Sequence, residues 1–210
     1  MHFLLNKGGL YKVYNGNLLY HGCVPLKEDG NLKSVRIFGH TYKGKGLYEV
    51  LESYVRKGFY AMDSKEKERG KDIMWYIWLS ENSPLFGKDK MATFERYFLA
   101  EKETHKEKKN PYYLLLEDEK VICHILKEFG LENEDAHIIN GHVPVKCKDG
   151  EKPIKCGGKV LVIDGGFSRA YQKETGIAGY TLIYNSYGLI LAAHEPFEST
   201  EAAIEKESDI

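Results

Sequence analysis

Two histidines stand where apolar, strand-forming runs end, and their positions indicate metal binding. His21 follows Leu18-Leu19-Tyr20 and precedes Gly22, while His142 follows the run 138–141. A run of β-formers that ends on a histidine beside glycine places an imidazole at a sheet edge with open backbone next to it. Imidazole binds Mn²⁺, Fe, Zn²⁺ and Ni²⁺, so the ligand type alone does not select the metal. A hydrogen-bonded histidine at a sheet edge is the alternative interpretation.

A hydrolytic metal centre also needs carboxylates. Two-metal phosphoester hydrolysis places its ions roughly 3.5–4 Å apart, usually bridged by a carboxylate and a hydroxide. Asp164 follows the apolar run 160–163 and is the strand-end carboxylate in a comparable place. A simple strand-terminating turn at Asp164-Gly165-Gly166 is the alternative interpretation.

Composition narrows the class of protein. A chain of 210 residues with 42% hydrophobic and 29% charged residues is long enough for one globular domain with a full core. The net charge of −1 argues against a nucleic-acid partner. The four cysteines lack C-x-x-C spacing, and no apolar stretch approaches the roughly 20 residues of a membrane span. We therefore expect free thiols, a cytoplasmic location and no membrane partner.

The elements that position these side chains follow from hydrophobic spacing. Asn15-Gly16 between two apolar arms predicts a β-hairpin over Leu10–His21. Helical spacing covers about residues 46–59, 71–79 and 118–129, the last with Asp118 as N-cap and Gly130 as stop. Strands are predicted at 136–140, 159–164, 179–185 and 188–193, the last two joined near Ser186-Tyr187, and an amphipathic helix begins within 198–210. Helices bracketed by strands predict a layered α/β fold.

Residues 80–111 differ in character from the rest and are predicted to be an inserted loop-and-helix segment over the sheet face. The segment carries Lys88, Lys90 and Arg96. The charged run after them is interpreted as a solvated surface, with Lys106, Lys108 and Lys109 in contact with water.

Four longer segments carry the two histidines, Asp164 and part of residues 80–111. They are residues 14–25, 81–90, 137–145 and 164–168. Together they resemble class III fructose-1,6-bisphosphatase, the type common in Firmicutes, within the calcineurin-like metallophosphoesterase superfamily. The resemblance covers essentially the whole chain. It implies the C-terminal half of a metallophosphoesterase β-sandwich flanked by helices, with residues 80–111 as an inserted cap over the metals.

The same resemblance implies a metal centre that this chain encodes in part. His21 and His142 would ligate the same one of two ions, expected to be Mn²⁺, with Asp164 as a further candidate ligand. The family's Asp-x-His, Gly-Asp-x-x-Asp-Arg and Gly-Asn-His motifs do not occur in this sequence. Because family members are much longer, the chain resembles their C-terminal part, shortened at both ends, without the N-terminal metal-ligand half. The general acid and the bridging Asp are expected in that half, so no catalytic residue is named here.

The reaction that the resemblance implies is hydrolysis of fructose 1,6-bisphosphate to fructose 6-phosphate and phosphate, a step of gluconeogenesis, by a hydroxide that bridges the two ions. A bisphosphate needs cationic side chains near both phosphates. The residues expected to contact the substrate are Lys88, Lys90, Arg96, Arg169 and Tyr171. An ordinary surface position is the alternative for each of them.

Two further interpretations remain open. One is a protein or nucleotide phosphatase of the same superfamily, although the segment Glu81–Lys90 favours the sugar enzyme. The other is a catalytically inactive fragment that binds a partner, with the missing N-terminal part or a second copy of the chain as the candidate partners. Missing strands would leave an exposed sheet edge for such a partner.

Overall fold

The computed structural model describes residues 2–177, 179–194 and 199–206, without the side chains of residues 169–171 and 206. The strands are β1 (Tyr11–Tyr14), β2 (Asn17–Tyr20), β3 (Val35–Ile37), β4 (His40–Tyr42), β5 (Ile138–Asn140), β6 (Ile154–Lys155), β7 (Val160–Val162), β8 (Gly179–Asn185) and β9 (Gly188–His194). The α-helices are α1 (His2–Lys7), α2 (Gly44–Tyr60), α3 (Ser64–Leu79), α4 (Thr93–Phe98), α5 (Glu119–Glu128), α6 (Arg169–Thr175) and α7 (Thr200–Lys206). Short 3₁₀ turns lie at Lys102–His105, Pro111–Leu114, Cys147–Asp149 and Cys156–Gly158.

The first hairpin forms as predicted. Strands β1 and β2 pair antiparallel, and Tyr14 lies opposite Asn17 across a two-residue turn. Both turn residues are left-handed, with φ of +48° at Asn15 and +75° at Gly16. This is the turn whose twist matches that of the strands, which explains the selection of Asn-Gly. The hairpin therefore directs His21 out of the end of β2.

A five-stranded mixed sheet forms the centre of the molecule, in the order β1-β2-β5-β7-β6. Strands β2, β5 and β7 run parallel, with Leu18 opposite Ile138 and Ile138 opposite Val160. Leu18, Ile138 and Val160 have no exposed surface, as continuous apolar runs in a parallel sheet require. Because parallel strands share one direction, the carboxyl ends of these three strands meet at one edge.

Two long helices, α2 and α3, form a hairpin beside the sheet. Helix α2 is close to the predicted range, whereas α3 begins earlier than predicted because the Asp63 carboxylate accepts a hydrogen bond of 2.9 Å from the Glu66 backbone. The two helices approach most closely at Gly58 and Gly70, where a Cβ on Gly58 would lie 2.5 Å from the Gly70 Cα. Glycine is required there because the backbones leave no room for a side chain.

The other predicted elements are mostly confirmed. Helix α5 begins at the predicted N-cap, since the Asp118 carboxylate accepts hydrogen bonds from the Lys120 and Val121 backbones. Strands β8 and β9 pair across Ser186-Tyr187 but form a separate two-stranded sheet. The β3–β4 hairpin and β6 were not predicted. The predicted last helix is observed as α7, and its residues 198 and 207–210 lie outside the described residues.

The apolar core lies in two clusters. The larger one packs the main sheet against α5 and against Tyr48 of α2, and includes the hydrogen-bonded Tyr20 and Tyr112 hydroxyls at 2.7 Å. The smaller one fills the space between β3, α2 and α3. The α/β class is thus confirmed, while the β-sandwich half stays a prediction. Among the described residues, no helix combines the length and apolar character needed to cross a bilayer.

Candidate functional site

The two predicted histidines meet at the carboxyl edge of the sheet. His21 directly follows β2, and His142 comes two residues after β5, which pairs in parallel with β2. Their side chains converge until His21 Nε2 lies 3.0 Å from His142 Nδ1. The Gly141 backbone N–H donates to the His21 carbonyl at 2.9 Å and keeps the two loops together. The parallel register therefore brings together two imidazoles that are far apart in the sequence.

A backbone carbonyl determines the tautomer of His142. Its Nε2 lies 2.9 Å from the Phe86 carbonyl oxygen. A carbonyl only accepts, so Nε2 carries the hydrogen and Nδ1 of the neutral ring presents its lone pair. His21 Nε2–H then donates to that lone pair. Orientation of a ligating imidazole through its second nitrogen is typical of metal sites.

The surroundings of His142 favour its neutral form. Burial lowers the pKa of the His142 imidazole, and the adjacent His21 and the cation Lys88 lower it further. The Phe86 carbonyl and the Asp164 carboxylate oppose this shift. A neutral imidazole is the form that binds a metal ion.

The backbone at His142 is itself unusual, with φ of +69°. A left-handed conformation in a residue other than glycine costs on the order of 1–3 kcal/mol and is often found at functional sites. Asn140 stabilises the adjacent chain, because its buried side-chain NH₂ donates to the Gly22 carbonyl at 3.0 Å. The carbonyl of Gly22 directly follows His21, so this hydrogen bond joins the two histidine loops.

Asp164 lies at the same edge, two residues after β7. A Cβ placed on Gly141 would be 3.3 Å from the Asp164 Cβ, a tight contact, so the two loops approach closely here. One carboxylate oxygen accepts a hydrogen bond of 3.0 Å from the Gly166 backbone. The turn that the sequence offered as the alternative is thus present. Its second role, as a metal ligand, stays a prediction.

A groove of about 760 Å³ runs along this edge. It is lined by His21, His142, Asp164 and Phe167 together with residues 7–12 and Glu52. The groove is large enough for a small-molecule ligand, which typically occupies about 300–1,000 Å³. The histidine pair therefore faces a space that a substrate can enter.

His21 Nε2 and His142 Nδ1 lie 3.0 Å apart. Both would ligate one ion in place of the hydrogen bond between them. Within residues 2–177, 179–194 and 199–206, no group of three or more His, Cys, Asp or Glu side chains is arranged to hold a metal. The described residues alone therefore do not form a complete metal site.

The three cations predicted in residues 80–111 form hydrogen bonds and ion pairs inside that segment. Lys88 pairs with Glu107 at 3.1 Å and Arg96 pairs with the same carboxylate at 3.7 Å. The Lys90 ammonium donates to the Thr104 carbonyl at 2.6 Å. Burial alone would raise the pKa of Glu107, but a hydrogen bond from the Ala92 backbone together with Lys88 and Arg96 lowers it overall. The substrate-binding role of these cations stays a prediction.

The remaining candidates, Arg169 and Tyr171, have backbones in α6, but their side chains lie outside the described residues. Sequence reasoning did not identify the Phe86 carbonyl or Asn140. The position of Asn140, a polar residue at the end of the apolar run 138–139, was a usable signal. The Phe86 carbonyl had none, since any residue supplies a carbonyl.

Comparisons with known proteins identify the family of the chain. The family model described as Firmicute fructose-1,6-bisphosphatase matches residues 1–210. A class 3 fructose-1,6-bisphosphatase of Clostridioides difficile (strain 630) is 62% identical over 209 residues, which cover 99% of this chain and 32% of that protein. Those of Clostridium acetobutylicum and Clostridium beijerinckii are 59% and 57% identical, each with 31% of its length covered.

The chain therefore spans about a third of the length of the curated relatives that it matches. No solved structure matches it. Because the family model covers every residue, this chain belongs to the Firmicute fructose-1,6-bisphosphatase family.

Proposed function

We propose that this chain forms the C-terminal part of a metal-dependent sugar bisphosphatase that hydrolyses fructose 1,6-bisphosphate to fructose 6-phosphate and phosphate. The observation that carries the proposal is the 3.0 Å approach of His21 Nε2 to His142 Nδ1 at the edge of a substrate-sized groove. Relatives of 57–62% identity are named for this activity, which supports the substrate.

The roles of this chain's own residues follow from their contacts. His21 and His142 would ligate one ion through Nε2 and Nδ1, with Asp164 as a further ligand, and the Phe86 carbonyl would hold the His142 ring in position. Bound Mn²⁺ ions would supply an activated water nucleophile and stabilise charge on the phosphoryl oxygens. The cations Lys88, Lys90, Arg96 and Arg169, together with Tyr171, are proposed to contact the substrate. Residues 80–111 would act as the cap of a calcineurin-like fold in the cytoplasm.

A second candidate function rests on the incomplete ligand set. Two imidazoles make a weak and chemically insufficient centre, so the chain alone would be inactive and would act by binding a partner that carries the remaining ligands. The N-terminal part of a relative such as the Clostridioides difficile enzyme is the partner with the matching chemistry.

Phosphate release from fructose 1,6-bisphosphate with Mn²⁺ tests both candidates. We would compare the chain alone, the chain mixed with the N-terminal portion of that relative, and mixtures that carry His142→Ala or His124→Ala. His124 is an exposed histidine on α5 and serves as the matched control. We expect release only on mixing, loss with His142→Ala and retention with His124→Ala. Equal activity of the two variants would contradict the metal-ligand role.

A further inference from the structure

A second, smaller cavity adjoins the histidine loop. It measures about 180 Å³, and Gly141, Val143 and Pro144 are among the residues that line it. Leu116, Val162 and Tyr113 contribute apolar and aromatic surface. The charged residues of the cavity wall are Lys109, Lys146, Lys155 and Glu151. We call this cavity the lysine pocket.

The positive charge of the lysine pocket is only partly neutralised. The Lys155 ammonium pairs with Glu151 at 2.9 Å, and the same glutamate accepts a hydrogen bond from the Lys146 backbone. Lys146 reaches Asp149 at 4.0 Å, with both side chains more than half exposed, so that pair contributes little. Lys109 has no ion pair or hydrogen bond to any residue that the structure describes. Three ammonium groups thus share one carboxylate that lines the pocket.

Lys109 experiences this excess charge. Loss of hydration lowers the pKa of its ammonium, and the neighbouring cations Lys88 and Lys146 lower it further. The carboxylates Glu151 and Glu107 oppose the shift without cancelling it. A lysine that repels its neighbours in this way is stabilised when an anion enters, because each ammonium then gains an opposite charge.

The size of the lysine pocket limits what that anion is. Pockets that bind a whole small molecule measure about 300–1,000 Å³. A cavity of about 180 Å³ therefore takes one functional group, with the rest of the molecule outside. A phosphate monoester presents up to two negative charges and three acceptor oxygens, which match three lysines better than a singly charged carboxylate does. Lysine binds phosphate as a point charge and needs no fixed planar geometry.

We propose that the lysine pocket, formed by Lys109, Lys146 and Lys155, binds a phosphate monoester group. The group has two sources: the phosphate of a bisphosphate substrate that lies away from the histidine edge, or a separate phosphorylated ligand. Lys88 affects both His142 and Lys109 electrostatically, so the lysine pocket and the histidine edge are neighbours. The phosphate-binding role itself does not depend on the proposed catalytic activity.

Titrations followed by phosphorus NMR test the proposal on the 210-residue chain. The probes are inorganic phosphate, fructose 6-phosphate and fructose 1,6-bisphosphate, without metal. The variants Lys109→Gln and Lys146→Gln each remove one pocket charge. Lys108→Gln is the matched control, since Lys108 is the adjacent residue in sequence, is largely exposed and forms an ion pair with the exposed Glu28 at 3.8 Å. We expect phosphate affinity to fall about tenfold in the pocket variants and less than about twofold in the control.

Further variants keep the result decisive. Lys109→Arg retains the charge and should retain most of the affinity, which separates charge from folding. The titrations use neither metal nor turnover, so failure of the catalytic proposal is recognised separately. Absence of saturable binding, or equal weakening by Lys108→Gln and Lys109→Gln, would overturn the proposal. Fructose 6-phosphate keeps the phosphate that the proposed hydrolysis leaves on the sugar. Tighter binding of both sugar phosphates than of inorganic phosphate, weakened alike by Lys109→Gln, therefore identifies the substrate's own phosphate as the occupant, and no gain from the sugar identifies a separate ligand.

Discussion

The histidine edge and the segment 80–111 were both expected to carry chemistry, yet their side chains are held in different ways. At the edge, His21 and His142 converge because two parallel strands end side by side, and each ring keeps a nitrogen directed at the other. In the segment, Lys88 and Arg96 share Glu107, and Lys90 is hydrogen-bonded to a carbonyl. Backbone pairing thus brought the first set together, whereas local partners occupy the second.

Residue type predicts chemistry best where the backbone fixes the direction of the side chain. A residue that directly follows a strand is held at the edge of the sheet by the pairing of that strand. A lysine in an irregular segment selects among nearby acceptors, and glutamates and carbonyls are abundant in any loop. The segment still contributes to the edge, but through the Phe86 carbonyl, which any sequence would supply.

The largest expected effect separates the two regions directly. In the mixture with the N-terminal portion of a relative, His21→Ala should reduce kcat for fructose 1,6-bisphosphate at least about 100-fold, because a metal ligand is lost. Lys90→Gln should change kcat less than about threefold and raise KM instead, because its proposed contact is with the bound substrate and not with the metal ion. Steady-state kinetics at saturating Mn²⁺ measure both variants. A loss of kcat in Lys90→Gln as large as that in His21→Ala would contradict this difference between the two regions. It would show that the segment rearranges so that its cations reach the histidine edge.

The junction of the two regions is tested at Gly22. A Cβ at this position would collide with the Pro84 carbonyl, while Cys23 N–H donates to that same carbonyl at 2.9 Å. We expect Gly22→Ala to lower the free energy of unfolding by about 2 kcal/mol, measured by urea denaturation. Gly46→Ala is the control, since a Cβ there meets nothing within 4 Å and alanine favours the helix. Equal destabilisation by both variants would mean that the segment is not held against the edge.

A smaller effect is expected from the glutamate that pairs with two cations of the segment. Glu107→Gln weakens the ion pairs with Lys88 and Arg96 and should reduce stability by about 1–2 kcal/mol at neutral pH. The pKa of Glu107 is lowered in the folded state, so the unfolded chain binds the proton more tightly. Its contribution is therefore present above the unfolded pKa and is lost as pH falls through the folded value. Urea denaturation between neutral and acidic pH should show a shallower decline in Glu107→Gln, and parallel curves would contradict this.

The smallest effect concerns Lys88, the cation of the segment that acts on His142. Removing its charge in Lys88→Gln should raise the pKa of the His142 imidazole, because a cation that disfavours the protonated ring is gone. Proton NMR titration of the ring measures the change, with Lys108→Gln as the control. An unchanged His142 titration would mean that the two regions do not interact electrostatically.

Local signals in the sequence were sufficient for several elements. Asn15-Gly16 predicted its turn, Asp118 predicted the start of α5, and the ends of the apolar runs predicted where His21, His142 and Asp164 emerge. The joining of β8 and β9 near Ser186-Tyr187 was predicted and is observed. That the two strands form a sheet separate from the main one could not be predicted, because it depends on which edge of the main sheet remains open.

The lysine pocket could not be predicted from the sequence either. Lys109 was interpreted as solvated, and it does remain exposed, but it lines the pocket together with Lys146 and Lys155, which are far along the chain. The positive charge of the lysine pocket arises from tertiary contacts between distant lysines. The sequence around Lys109 does not reveal it, because lysines and glutamates there nearly balance in charge.

The left-handed backbone at position 142 implies a conflict between the stability of the fold and activity at a single residue. Glycine adopts that conformation without strain, so His142→Gly should relieve a local penalty even as it removes the imidazole. A lineage selected only for a more durable fold would be expected to lose histidine here. Its persistence would then reflect selection for what the ring does, at the expense of a more stable protein.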